Sequence, residues 1–130
     1  MRPGSLFSKK VRNKYTPARC SNMEHINLMD EIQFNENHGI ARPIHVDKNG
    51  RLLEFALRPG QEIKEHSSPS SPVYLIVLKG KGLFRGSDNV EIKAGPGSIM
   101  IFDVDEKHSI EALDEDLVFV ALLHGSPRDN

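Results

Sequence analysis

The chain has 130 residues, of which 38% are hydrophobic and 27% charged, and its formal net charge is −1. A chain of this length buries one core and is too short for two, and the composition is that of an ordinary globular domain. No window approaches the roughly 18 apolar residues of a membrane helix, and a single cysteine, Cys20, excludes an internal disulfide, so we expect a soluble, cytoplasmic protein with no membrane partner.

The charge is distributed unevenly along the chain. Six of the 17 Lys and Arg residues precede Glu24, the first acidic residue, which leaves 11 basic and 18 acidic residues from Met23 onward, a net of −7. We therefore divide the chain into a basic N-terminal arm, residues 1–22, and one domain, residues 23–130. Three interpretations of the arm stay open: a disordered or non-native leader with Met23 as the natural start, an organelle transit peptide, and a segment that binds nucleic acid or an acidic protein surface.

From Ala41 onward, short β-branched or alternating runs are separated by Gly, Pro, Asn or Asp. This pattern is typical of a β-sandwich or a β-barrel and not of helices. Before these runs, residues 23–34 have an apolar face that predicts one short helix or an N-terminal strand. The predicted strands are, in chain order, residues 41–46, 51–57, 62–66, 73–78, 83–85, 90–93, 98–102, 108–112 and 117–123.

The segments between the predicted strands carry specific turn signals. Asn49-Gly50 supplies the positive φ of a hairpin turn, and Pro59-Gly60 marks a second turn. Residues 67–72 contain two prolines and four serines, which exclude a regular ladder and predict a loop at a barrel mouth or edge. Residues 73–78 form the most apolar run and are predicted to be a central strand.

Two stretches of the sequence resemble the two sequence motifs of the cupin family. The first runs from Pro59 through His66 and a proline-containing loop to Gly82, and the second runs from Ala94 to His108. With the flanking strands, the resemblance to a small single-domain cupin covers residues 40–123. It implies an all-β fold, an antiparallel double-stranded β-helix of the cupin or jelly-roll type with a short N-terminal extension, and one concave pocket.

The cupin family implies a divalent metal, held by a His-x-His pair and a carboxylate of the first motif and one histidine of the second. His66 and His108 match two of these ligands, whereas Ser68 stands in place of the second histidine and Val73 in place of the carboxylate. A neutral hydroxyl is a poor ligand and valine cannot ligate at all. Two hypotheses stay open for His66 and His108: one transition metal (Mn, Fe, Ni or Zn), or a metal-free pocket in which they are hydrogen-bonding or acid–base groups.

Other residues are predicted to complete the pocket. Glu62 and His66 lie four apart on a presumed strand, so their side chains should share a face. Glu54, His45 and Tyr74 are further candidate donors. Besides the two histidines, the predicted pocket residues are Ser68, Tyr74, Glu62, Leu75, Val77 and Met100.

The sequence leaves three classes of function. The first is a binding protein that holds a small molecule in the barrel pocket, with or without a divalent metal. The alternative is a metal-dependent cupin enzyme of the dioxygenase, isomerase, epimerase or decarboxylase kind, using His66 and His108. The third is an interaction protein whose basic arm carries the function.

We also predict the partners of the chain. A homodimer is expected, because an isolated small barrel leaves edge strands that pairing would cover and because cupins commonly associate in this way. We expect no nucleic acid to bind the barrel itself.

Overall fold

The computed structural model describes residues 23–125, so the predicted arm over residues 1–22 lies outside the described part. Residues 23–32 belong to a unit separate from the one that begins at Gln33. They contain neither the helix nor the strand predicted there, but a turn over residues 28–31. The carbonyl of Asn27 accepts the Asp30 N–H at 3.1 Å, and the Asn27 side chain accepts the Met29 N–H at 2.9 Å. Such local hydrogen bonds compete with regular secondary structure, which explains why the apolar pattern was misleading here.

Nine β-strands follow in the described residues, close to the positions that the sequence predicts. A 3-10 turn at Ser87–Asn89 separates two of them, and no helix within residues 23–125 is long and apolar enough to cross a membrane. The strands are β1 Ile40–Asp47, β2 Gly50–Leu57, β3 Glu62–His66, β4 Val73–Lys79, β5 Gly82–Arg85, β6 Glu91–Ala94, β7 Ile99–Phe102, β8 His108–Ala112 and β9 Leu117–His124.

The strands form two antiparallel sheets. The five-stranded sheet has the order β1-β2-β9-β4-β7, and the four-stranded sheet has the order β3-β8-β5-β6. β4 pairs with β9 on one side and β7 on the other, as expected for an interior strand. The predicted all-β, antiparallel fold is therefore confirmed.

The core lies between the two sheets and follows from the two-residue alternation of the strands. On β4, Val73, Leu75 and Val77 are buried, whereas the residues between them are partly exposed. Phe119 of β9 stacks on Phe55 of β2, with 5.0 Å between ring centroids, and meets Phe84 of β5 edge-on. Strands of both sheets thus contribute their inward-facing side chains to one hydrophobic cluster.

The turn that leaves β4 requires glycine. Gly80 has a φ of +79°, and a Cβ atom at this position would lie 1.9 Å from the carbonyl oxygen of Asp116. No side chain fits at that distance from a backbone oxygen. The close approach packs the turn after β4 against the segment that leads into β9, at one end of the barrel.

Candidate ligand-binding cavity

One end of the space between the sheets is not filled by side chains and forms a cavity of about 350 Å³. On β4, Val73 and Leu75 line this cavity, whereas Val77 packs in the core beyond it. On β2, Phe55 lines the cavity and Leu57 does not. The barrel is therefore packed at one end and hollow at the other.

The wall of the cavity is mainly apolar. Strands of both sheets and the loop between β3 and β4 supply its hydrophobic residues, which are Leu53, Phe55, Ile63, Pro69, Val73, Leu75, Ile110, Phe119, Ala121 and Leu123. The polar residues are Arg51, His66, Ser67, Ser68 and His108. A concave, mostly apolar pocket with a few polar groups is the usual form of a small-molecule site.

His66 and His108 lie opposite each other on β3 and β8. Their ring centroids are 4.3 Å apart and the rings meet edge-on, at 61°. His108 is only 3% exposed and stacks on Phe102 with 4.4 Å between centroids, whereas His66 is exposed. The pair therefore reaches from the surface of the protein into the cavity.

Backbone carbonyl groups determine which ring nitrogen of each histidine is available to a ligand. Nδ1 of His66 donates to the Lys64 carbonyl, and Nδ1 of His108 donates to the Glu106 carbonyl, each at 2.9 Å. Because a carbonyl oxygen only accepts, both Nδ1 atoms carry a proton and Nε2 is the remaining nitrogen. Burial lowers the pKa of His108 and outweighs the hydrogen bond to Glu106, so the ring is neutral at pH 7 and its Nε2 is an acceptor.

The Glu106 carbonyl belongs to the loop before β8, and hydrogen bonds hold this loop in place. The Glu106 carboxylate accepts the N–H of Asp103 at 2.8 Å and both the N–H and the hydroxyl of Ser87, which together lower the pKa of Glu106. The Asp105 N–H donates to the Ser68 carbonyl at 2.8 Å. These contacts join the serine-rich loop to the acidic loop.

A β-bulge in β3 decides which of its side chains face the cavity. Ile63 pairs with Ile110 and His66 pairs with His108, so two residues of β3 lie opposite one residue of β8. Ile63 and His66 therefore both line the cavity although they are three positions apart. Glu62, next to Ile63, is exposed on the opposite face, so the expectation that it shares a face with His66 does not hold.

The other predicted pocket residues fall into two groups. Ser68, which is 7% exposed, and Leu75 line the cavity. Val77 and Met100 are buried in the core and do not reach it. Tyr74 lies outside it, because adjacent strand residues face opposite sides of the sheet, and it stacks on His124 with 5.8 Å between centroids.

The residues around the histidine pair do not by themselves fit a resident divalent metal. Within residues 23–125 no group of three His, Cys, Asp or Glu side chains is placed to hold a metal ion. Of the candidate donors, Glu54 is bonded to Arg42, and His45 is bonded to Asp47 at 2.9 Å, both outside the cavity. Two imidazoles are fewer than the three protein ligands typical of an open metal site.

Arg51 is a cavity residue that the sequence analysis missed. It begins an alternating run in which Arg51, Leu53 and Phe55 all face the cavity. Its Nε and Nη2 atoms are buried and have no hydrogen-bond partner among the described residues. The alternation of Arg51 with the apolar positions 53 and 55 is the sequence signal that could have identified it as an inward-facing residue.

Comparisons with known proteins agree with this architecture. The family model described as the cupin domain matches residues 53–123, which is more than half of the chain. No curated protein matches.

Several solved structures have the same fold. An RmlC-like cupin protein from Desulfovibrio desulfuricans is 24% identical, with a TM-score of 0.70 over 78% of this chain and 96% of that one. A protein from Thermus thermophilus, TT1209, is 20% identical, with a TM-score of 0.76 over 81% and 100% of the two chains. KdgF from Halomonas sp. is 15% identical, with a TM-score of 0.69 over 80% and 95%.

Proposed function

Because the chain belongs to the cupin domain family, we propose that it binds a small organic molecule in the cavity between its two sheets, with His66 and His108 as orienting polar groups. The observation that carries this proposal is the combination of an apolar cavity of about 350 Å³ with two contacting imidazoles at its wall. Apolar walls contribute affinity by removing ligand surface from water, and a few polar groups fix its orientation.

The histidine pair suits the polar part of such a ligand. His108 is neutral and buried, so its Nε2 accepts a hydrogen bond from a hydroxyl or an amide N–H at low desolvation cost. Its ring is held by the Phe102 stack and the Glu106 carbonyl, so little side-chain freedom is lost on binding. His66 lies nearer the solvent and contacts the more exposed part of the ligand.

Filling the cavity tests the proposal. A panel of small aromatic and aliphatic compounds is screened against the protein by ligand-observed NMR. Compounds that bind the original protein should lose binding to Ala121→Leu, because Ala121 lines the cavity and is 3% exposed. Ala41→Leu, on an exposed position of β1, is the matched control and should bind them unchanged.

A second filling variant protects the test against misfolding. Val73→Phe narrows the cavity from β4, and the fold of each variant is checked by circular dichroism. Binding that persists in both folded variants would contradict the proposal.

The second candidate is a metal-dependent enzyme that uses His66 and His108, favoured by the direct contact of the two rings. Such a metal would be a Lewis acid or a redox centre and would need further donors from the ligand or solvent. Elemental analysis of protein purified without a His-tag separates the two candidates. Stoichiometric metal that disappears in the His66→Ala, His108→Ala double variant would favour the enzyme, whereas substoichiometric metal unaffected by the variant would favour metal-free binding.

A further inference from the structure

Arg51 places a positive charge in the cavity wall, and no carboxylate within residues 23–125 forms an ion pair with it. The guanidinium is protonated at any pH the protein experiences. Its Nε and Nη2 atoms are buried without a hydrogen-bond partner in the part of the chain that the structure describes. Among the described residues that line the cavity, Arg51 is the only one with a permanent charge.

The nearby acidic residues are engaged elsewhere. Glu54 lies three positions further along β2 and therefore on the opposite face of the sheet, where its Oε1 pairs with Arg42 and its Oε2 is buried without a partner among the described residues. Asp47 accepts hydrogen bonds from His45 and from the backbone N–H groups of Asn49 and Gly50. Neither carboxylate forms an ion pair with Arg51.

The two unsatisfied atoms form one edge of the guanidinium. The N–H bonds of Nε and Nη2 on this edge are parallel, and a carboxylate accepts both through its two oxygens. An N–H group that is buried without an acceptor destabilises the protein, so a group that accepts from both N–H bonds would bind favourably here. Both atoms are out of contact with the open space of the cavity, so a bidentate anion reaches them only when the Arg51 side chain turns toward it.

We infer that the cavity binds a small carboxylate with an apolar body, and that Arg51 turns toward the ligand so that its Nε and Nη2 edge pairs with the carboxylate. Arg51 belongs to the five-stranded sheet, and His66 and His108 belong to the four-stranded sheet. The ligand therefore lies between two polar walls: its carboxylate contacts Arg51, and a hydroxyl or N–H group elsewhere on it contacts the imidazoles. This inference rests on the proposed function and names the ligand class for it.

Matched pairs of probes test the charge preference directly. Benzoate is compared with benzamide, and hexanoate with hexanamide, because the members of each pair have nearly the same shape and differ in charge. Calorimetric titration should give carboxylates at least about tenfold tighter binding than amides, the usual value of a charge-assisted hydrogen-bonded pair. The carboxylates, and not the amides, should also shift the ¹⁵N resonance of Arg51 Nε.

Three variants assign the preference to Arg51. In Arg51→Met, which removes the charge, carboxylates and amides should bind within about twofold of each other. Arg51→Lys keeps the charge but lacks the paired N–H groups, so it should retain only part of the preference. Arg85→Met is the matched control, since Arg85 is bonded to Glu91 and Glu111 outside the cavity, and it should leave the preference intact.

The outcomes separate this inference from the proposed function. If carboxylates and amides bind equally and Ala121→Leu abolishes both, the cavity binds small molecules and the role of Arg51 is wrong. If the preference persists in Arg51→Met, the carboxylate binds elsewhere and the inference is also wrong. If neither class binds, the proposed function and this inference fail together.

A measurement without any probe gives a second test. In Tris chloride buffer free of carboxylates, Arg51→Met should melt at the same temperature as the original protein or a few degrees higher, because it removes two buried N–H groups that lack an acceptor among the described residues. A decrease of several degrees would mean that Arg51 stabilises the empty fold, and it would overturn the inference.

Discussion

At the scale of single residues, His108 and Arg51 are both polar groups in a mainly apolar wall, but they differ in their hydrogen-bond partners and in their charge. His108 has a backbone acceptor for Nδ1 and an aromatic ring to stack on, and it avoids the cost of a buried charge by staying neutral. Arg51 cannot lose its proton, so its charge is offset only by a partner. The cavity therefore combines one group that titrates with one that does not.

The lowered pKa of His108 predicts how stability depends on pH. In the unfolded chain His108 returns to its ordinary pKa of about 6.5, so below that value the unfolded chain takes up a proton that the folded chain excludes. Stability should therefore fall as the pH decreases through 6.5 towards the lower folded value, and this contribution should then level off. His108→Phe keeps a ring against Phe102, and its stability should fall less between about pH 7 and pH 5.

Urea denaturation at a series of pH values measures this difference. His38→Phe, at an exposed position, is the control for removing one histidine and should follow the original protein. Parallel pH profiles for the original protein and His108→Phe would show that burial of His108 has no energetic consequence.

At the scale of elements, turn residues made the strands predictable. Glycine, proline and asparagine mark nearly every chain reversal, and β3 and β8 have the predicted bounds of residues 62–66 and 108–112. The histidine pair was predicted on a different ground, since His66 and His108 match the histidines of the two cupin motifs that the sequence resembles. Which residues face inward was predictable only where the alternation is regular, as for Leu75 on β4.

The failures have identifiable physical causes. The bulge in β3 reverses the facing of Glu62 relative to His66, and nothing in the local sequence marks it. Val77 and Met100 face inward as expected, but the depth at which the cavity ends depends on packing between distant strands. Arg51 was overlooked because a basic residue next to a turn usually faces solvent.

Gly80 provides a test of the turn after β4. Gly80→Ala should destabilise the protein by at least about 3 kcal/mol, because it combines a positive φ with a Cβ atom too close to the Asp116 carbonyl. Gly97→Ala is the matched control: its φ is +90° but a Cβ atom there meets nothing within 4 Å, so it should cost only about 1 kcal/mol. Equal losses in thermal denaturation would mean that the contact with Asp116 adds nothing to the strain.

At the scale of the whole molecule, the predicted homodimer stays a prediction. β7 is an edge strand of the five-stranded sheet, and its outward residues Ile99 and Ile101 are 53% and 62% exposed. Unpaired edges and exposed apolar residues favour association. If this edge is the interface, the protein should sediment at twice the 14.6 kDa of one chain and Ile101→Lys should sediment as a monomer.

The control for that experiment lies on the other sheet. Ile92 is 50% exposed on the edge strand β6, so Ile92→Lys changes a similar surface and should leave the dimer intact. A monomer at micromolar concentration for the original protein would contradict the prediction. A dimer unaffected by Ile101→Lys would place the interface elsewhere.

The bulge in β3 also determines whether the strand tolerates the loss of one residue. Because the bulge places two residues of β3, Lys64 and Glu65, opposite one residue of β8, loss of either one would restore ordinary two-residue alternation. Ile63 and the histidine now at position 66 would still face the same side. In β2, which pairs with β9 without a register shift, the loss of one interior residue would instead turn part of the strand inside out. The effect of an insertion or deletion on the facing of the side chains therefore depends on the strand. β3 can lose one residue of its bulge and still present its histidine to the cavity.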